Sequence, residues 1–492
     1  MVEDEQGFSR RNFIKAAGLV GGAITIAGSA GAGLAAGKNK DSHTGYGRTA
    51  YGEDQFFNRE PFYVETPTYK KVGTPKRITF LENLFKRNGE MYRLLYPSDE
   101  NQDPWTFDKG IDSLPAHLKD YYTKHPASLE EFQRAIQKSK EQKKDWHLYQ
   151  DKYIIADAWS NAHASPLHGR GSFPPQPKGP PEESDFHGVK DVKLSFKSEN
   201  HASELMKKIS YSFGASLVGI TAVKEEWVYQ GFLRGVGKTE FDVPEHWKNA
   251  IVIAVPHEWD ALYANPTYGT SYDAYSKLRF IAGKLEVFIK ELGYSSRSHI
   301  PPTSYEIAMP PLAIDAGLGE QGRNGVAITP ELGANNRLAA VTTNMPLMAD
   351  KPIDVGITEF CSKCKICAEE CPSGAISFQD NPDTETRGYK RWVIDQDKCY
   401  TVWNSVATSH SRGCRVCLAV CPYSRKNNWI HNIAREADPR DPTGLVSSAL
   451  LAMQKKMFTY PGGQEYLPPP DGNNTTFNEA PDWLKSEEWI DF

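Results

Sequence analysis

No cysteine occurs outside one window of 61 residues, Cys361 to Cys421, in a chain of 492. A secreted protein stapled by disulfides would spread its cysteines over the elements it joins, so clustering points instead to a metal site. The chain also lacks a positive surplus. Its 57 Lys and Arg stand against 62 Asp and Glu, for a net charge of −5, which gives no basis for a nucleic-acid or anionic-membrane partner. Beyond residue 36 no window reaches 18 consecutive apolar residues, so the remainder is expected to be soluble. No internal repeat appears other than the paired cysteine motifs. What is abundant is aromatic, with 11 Trp, 23 Tyr and 22 Phe; these suit either a pocket for flat apolar ligands or ordinary packing in a large enzyme.

The first residues read as an address. Ser9 to Lys15 is Ser-Arg-Arg-Asn-Phe-Ile-Lys, a complete twin-arginine export motif, followed by a weakly apolar run from Ala16 to Ala36 containing six glycines. That run is a poor membrane span, and its small residues suit cleavage. The twin-arginine route carries proteins already folded, often around cofactors, so a metal is expected to be bound before export.

Five segments are expected: the signal peptide 1–36, an N-terminal region 37–200 covering the core, an α/β core over 201–350, a cluster module over 351–435 and a tail over 436–492. The N-terminal region is polar, aromatic and turn-rich, with six prolines between Ser165 and Pro181. In the core, residues 202–213 read as a helix. Ser216–Thr221, Ala250–Val255 and Leu338–Thr343 read as strands, the second as an apolar β-branched run typical of a buried strand. The strongest helix runs from about Asp273 to Leu292. Leu278, Ile281, Ala282, Leu285, Phe288, Ile289 and Leu292 form one apolar face, and Gly293 ends it. Tyr275 falls on that face in the expected first turn. A further helix is predicted over Ile307–Ala316.

The cysteines form two motifs. The first, Cys361-x2-Cys364-x2-Cys367-x3-Cys371-Pro372, is the bacterial ferredoxin run, in which three thiolates hold one four-iron cubane and the fourth ligates the other. The second is Cys414-x2-Cys417-x3-Cys421-Pro422, with Cys399 upstream across 14 residues. Ferredoxin logic assigns one 4Fe-4S cluster to Cys361, Cys364, Cys367 and Cys421, and the other to Cys371, Cys399, Cys414 and Cys417. Structural zinc would suit Cys-x2-Cys pairs but leaves the x3-Cys-Pro endings unexplained. Covalent haem needs histidine after Cys-x2-Cys, where Ala368 and Leu418 stand. A two-cluster ferredoxin needs far less chain than this. The residues before Cys361 therefore belong either to an electron-transfer subunit of an exported complex or to an enzyme whose clusters feed a second cofactor.

The export motif and both cysteine motifs resemble those of the respiratory reductive dehalogenases. So do Ala316-Gly317-Leu318-Gly319-Glu320, Ile328-Thr329-Pro330, Asn344-Met345-Pro346-Leu347, Lys351-Pro352-Ile353-Asp354 and Trp429-Ile430-His431. The likeness covers the signal and nearly all of 201–435. It implies an α/β (α+β), nitroreductase-like corrinoid-binding core with a C-terminal ferredoxin-like module. It also implies a corrinoid bound base-off without a protein histidine, and reduction of an organohalide carbon–halogen bond to carbon–hydrogen as the last step of organohalide respiration. No Asp-x-His-x-x-Gly motif occurs; after Asp185 and His187, Lys190 holds the glycine position. Implied partners are a small integral-membrane anchor protein and a quinone-linked or other low-potential donor, at the outer, periplasmic face of the cytoplasmic membrane. Oligomeric state stays open, a homodimer included, as does the order of bond-breaking steps. Epoxyqueuosine reductase, which also joins a corrinoid to two cubanes, is the nearest rival enzyme, but it acts on tRNA in the cytoplasm.

By the same resemblance Tyr275 is the proton donor and Arg337 the cation that stabilises its phenolate. A tyrosine is normally too weak an acid, with pKa near ~10, and a first-turn position plus a guanidinium would help. Ser304, the nearest polar residue where some members carry asparagine, is assigned to the pocket together with Leu338 and Trp403. Packing alone would equally account for Tyr275, and Trp403 would equally pack over the nearby cluster.

Overall fold

The computed structural model describes residues 62–97, 99, 101–145, 188–191, 193–230, 243–264, 270–301, 306–405, 413–424 and 443–457. The export motif, the proline-rich stretch, Ser304 and Trp429 to His431 lie outside the described residues. The centre is a four-stranded sheet of β1 (Leu217–Ala222), β2 (Asn249–Val255), β3 (Ser296–His299) and β4 (Arg337–Thr343). Their order is β1-β2-β4-β3. Each neighbouring pair is antiparallel, with Ile220 opposite Ile251, Ile253 opposite Ala339 and Ser298 opposite Val341. Of the two forms expected, α/β or α+β, the antiparallel pairing gives the core the α+β form.

Side chains alternate across a strand, and here both faces are covered. Ile251, Ile253, Val255, Ala339 and Val341 enter one core. Ala250, Val252, Ala254, Leu338 and Ala340 enter the other. Burial on both sides is why β2 reads as a continuous apolar run. The first core is closed by α1 (Glu199–Ser212) and α2 (Thr270–Glu291), through Ala202 and Met206 and through Leu278, Ile281, Leu285 and Ile289. The second is closed by α3 (Met309–Asp315) with Trp227 and Trp247.

β3 escaped the sequence reading because its residues are Ser, Arg, Ser and His, yet all four are buried. Burial is tolerable because each finds a partner. Ser296 Oγ donates to the Glu286 carbonyl at 3.0 Å, and Glu286 Oε2 accepts from the Ser298 N–H at 2.9 Å. Arg297 Nη1 pairs with Glu306 Oε2 at 2.8 Å, and His299 Nε2 lies 3.0 Å from Thr342 Oγ1.

The N-terminal region is more ordered than its composition implies. Helices Leu84–Leu95, Ala116–Lys124 and Pro126–Asp145 build a core of their own around Met91, Leu118, Tyr122 and Phe132. The cysteine-bearing part of the chain supplies α4 (Ile357–Cys364) and α5 (Gln396–Ser405). Helix α5 carries Cys399 and packs along Pro126–Asp145, adding Tyr400 to the N-terminal core. Arg87 and Ser128 both bond to Asp397 of α5, at 2.7 and 2.6 Å, and Asn404 donates to the Ala135 carbonyl at 3.0 Å. The N-terminal helices thus hold the helix that carries one isolated cysteine. Among the described residues no helix is long and apolar enough to cross a membrane.

Candidate active site and metal centres

Helix α4 places Cys361 and Cys364 one turn apart and stops at Lys365. Lys365 is left-handed (φ 55°), a conformation costly for a side chain with a Cβ, and it redirects the chain toward Cys367. Cys361, Cys364, Cys367 and Cys421 line one cavity, walled by Phe360 and Tyr423. The other four thiols form a second group. Cys399 feels the charge of Cys414 and Cys371, and Cys417 feels Cys414, Cys399 and Cys371. Cys367 and Cys417 interact across the two groups, so the groups are neighbours.

Burial pushes the Cys364 and Cys399 thiols up to about 12 and the Cys414 thiol to about 11. Left alone these are neutral thiols; coordination to a metal would ionise them outright. Among the described residues no three His, Cys, Asp or Glu side chains converge tightly enough for a single ion. Four cysteines lining one cavity without converging on a point fit a polynuclear group instead.

Two buried charged residues brace the first group. Arg323, 1% exposed, donates from Nε and Nη2 to the Cys361 carbonyl at 3.0 and 2.8 Å, and from Nη1 to the Ser377 carbonyl at 2.7 Å. Its guanidinium also lies 4.9 Å from the Trp392 ring centroid. Glu320 caps α4: it accepts from the N–H groups of Val355 (2.7 Å), Ile357 (3.1 Å) and Thr358 (3.2 Å), and from the Thr358 hydroxyl (2.8 Å). Burial, then Asp354, raises its carboxyl above the usual range, while those donors pull the other way. Gly319 precedes it because a Cβ there would stand 2.0 Å from the Ile328 carbonyl oxygen. The string Ala316 to Glu320 is therefore a device for docking the cluster helix. Glu320→Ala leaves four donors, two of them buried, without their acceptor, and the expected loss is about 3 kcal/mol, read as a lower urea midpoint. An unchanged midpoint would remove the capping role.

The second site lies at the start of α2 and the start of β4. The Arg337 guanidinium carbon is 5.7 Å from the centroid of the half-buried Tyr275 ring. The structure thus brings this sequence-predicted pair together. Helix α2 begins at Thr270, a turn earlier than its apolar periodicity indicates, which puts Tyr275 in the second turn. The positive end of the helix dipole fades within the first turn, so the guanidinium is the nearer source of positive charge. Tyr272, one turn before, meets the Tyr275 ring edge-on at 6.0 Å.

Four residues unremarked in the sequence complete this site. Ser271 Oγ accepts from Arg337 Nη2 at 2.9 Å and from Arg415 Nε at 2.6 Å. Burial, then the nearby Arg337 charge, lowers the Arg415 guanidinium to about 10. His257 Nε2 lies 3.4 Å from Ser271 Oγ, and its Nδ1 lies 2.7 Å from Asn335 Oδ1. Burial, then the two arginines, holds His257 well below its usual range and hence neutral. Arg337 Nε is buried and has no partner among the described residues, a donor left over for a bound group. A signal for part of this was present: Asn335 stands two residues before Arg337, Arg415 sits inside Cys-x2-Cys, and His257 follows a buried strand.

The remaining pocket assignments land elsewhere or outside the described residues. Leu338 turns to the face of the sheet away from α2, among Leu312, Trp227 and Ile307. Trp403 stacks on Tyr400 (5.8 Å, 18°) and meets Phe85 edge-on (5.6 Å), which joins it to the N-terminal helical core. Ser304 is not among the described residues.

Residues 360–425 match the family model for a 4Fe-4S dicluster domain. The tetrachloroethene reductive dehalogenase of Desulfitobacterium hafniense is 30% identical over 290 residues, 49% of this chain and 51% of that protein. The enzyme of the same name from Sulfurospirillum multivorans is 34% identical over 255 residues, 44% and 49% of the two chains. The chain is a relative of the reductive dehalogenases. A solved structure titled as suggesting a mechanism for B12-dependent dehalogenation overlays with a TM-score of 0.56 at 22% identity, over 83% of this chain and 50% of that one. At that identity the overlay speaks to fold, and the fold is that of a reductive dehalogenase. This relative spans about half the length of the curated dehalogenases it matches.

Proposed function

We propose that the chain is the catalytic subunit of a corrinoid-dependent reductive dehalogenase. The observation that carries this reading is the Tyr275–Arg337 pair, set among residues whose charges reach the second thiol group: the Arg337 charge acts on Cys417. The reaction takes an organohalide, two electrons and a proton to the hydrocarbon and a halide ion. Bound cubanes would pass electrons one at a time, and a corrinoid beside Tyr275 would supply the cobalt chemistry that breaks the carbon–halogen bond.

The chain's own residues do the rest. Cys361, Cys364, Cys367 and Cys421 hold one cluster; Cys371, Cys399, Cys414 and Cys417 hold the other. Tyr275 Oη gives its proton to the carbon losing the halogen, and Arg337 stabilises the phenolate left behind. The buried Arg337 Nε is available to a polar group of the bound corrinoid or substrate. Binding of the corrinoid without a protein histidine is supported by His257, whose two ring nitrogens lie within reach of Asn335 and Ser271; the base-off state rests on the family likeness. Twin-arginine export, residence at the outer face of the cytoplasmic membrane, a small membrane anchor and a low-potential donor complete the reading; they rest on the Ser9 to Lys15 motif and the family likeness.

The test is metal content and turnover of protein purified without oxygen. The expected result is about one cobalt and about eight iron per chain, with halide released from a chloroethene, chloroaromatic or bromo-compound under a reduced viologen. Iron without cobalt, even after reconstitution with a corrinoid, would leave an exported electron carrier in its place.

A further inference from the structure

Ser271 is 2% exposed and stands in the first turn of α2, one helical turn before Tyr275. A serine hydroxyl has one proton to give and two lone pairs to receive with. Both lone pairs are committed here, to N–H groups of Arg337 (2.9 Å) and Arg415 (2.6 Å). A guanidinium has no acceptor to offer in return. The one remaining proton of Ser271 is left to point at His257 Nε2, 3.4 Å away, and the Nδ1–H of that ring then faces Asn335 Oδ1 at 2.7 Å. The side-chain protons of Ser271 and His257 are thereby assigned, and the hydroxyl accepts twice.

The two arginines come from different parts of the chain. Arg337 begins β4 and overlies the Tyr275 ring. Arg415 lies between Cys414 and Cys417, is 3% exposed, and donates from Nη1 to the Gly413 carbonyl at 2.5 Å. Like charges this close repel, more strongly in a buried setting than in water. They stay together because one oxygen receives both. We propose that Ser271 is a positioning residue that ties Arg415 of the cysteine loop to Arg337 over Tyr275, fixing two permanent positive charges between the second cluster and the proton donor. The tie makes a reduced, more negative second cluster easier to form and keeps Arg337 against the phenol. Its second half rests on the dehalogenase reading; the first half rests only on the cysteines and the two cations.

The test uses that independence. The full chain loaded with iron and sulfide, without corrinoid, is titrated electrochemically and followed by electron paramagnetic resonance. In Ser271→Ala the freed guanidiniums separate, and the potential of one cluster moves more negative while the other stays. Ser271→Thr keeps the hydroxyl and restores the potential; Ser271→Val, its match in shape, does not. The Thr/Val pair decides the matter if the alanine variant fails to hold iron. Two unchanged potentials in Ser271→Val, or two that move equally, would overturn the proposal. Loss of turnover in a cobalt-loaded enzyme plays no part in this readout, so failure of the dehalogenase reading would register separately.

Discussion

Replacing Tyr275 with phenylalanine is expected to lower organohalide turnover by about 10²- to 10⁴-fold, the usual worth of a positioned general acid. Iron content, cluster spectra and thermal stability should stay as they are. The substitution removes one oxygen and keeps the ring that packs beneath Arg337 and against Tyr272. An arginine attracts a phenyl face as it does a phenol face, so the guanidinium has no reason to leave. If Tyr275 were only a packed aromatic, phenylalanine would serve as well, and unchanged turnover would sink the assignment. Arg337→Ala adds a second handle. It should also suppress turnover, because the developing phenolate would lose its neighbouring cation. Turnover that stays in place would leave Arg337 a structural role only.

Apolar periodicity located β1, β2, β4 and α2, because each buries a continuous apolar face. It missed β3, whose Ser-Arg-Ser-His is buried through polar partners that a hydrophobic pattern does not register. It set the start of α2 one turn late, since Thr270, Ser271 and Tyr272 precede the first apolar repeat. That slip mattered, for it hid Ser271 inside what reads as a loop. The three N-terminal helices were missed for another reason: their apolar positions, such as Leu129, Phe132 and Ile136 in Pro126–Asp145, are few among polar and charged residues. The cysteine spacing was legible because coordination geometry is local. The Ser271 network was not, because it joins residues that are 66 and 144 positions apart.

Crossed ligation makes the sharpest forecast for metal removal. Replacing Cys421 with alanine should strip the cluster of the first motif, and replacing Cys371 should strip the cluster of the second, each lowering iron from about eight to about four per chain. The reason is spatial. Cys421 shares a cavity with Cys361, Cys364 and Cys367. Cys371 instead adds its charge to Cys399, Cys414 and Cys417. The loop after Cys421 is also seated on the core: a Cβ at Gly333 (φ +62°) would meet the Tyr423 carbonyl oxygen at 2.0 Å, so the backbones touch there. That contact carries Cys421 back toward the first motif. Single variants alone do not separate crossed from sequential ligation, since either scheme loses one cluster. Double variants do. With crossed ligation, Cys361→Ala combined with Cys421→Ala still strips a single cluster and leaves about four iron, whereas Cys361→Ala combined with Cys371→Ala strips both. Sequential ligation reverses the two results. Retention of about four iron by the Cys361/Cys371 double variant would therefore refute the crossed arrangement, and with it the adjacency that lets an electron entering at one cluster reach the other and then the Tyr275 site.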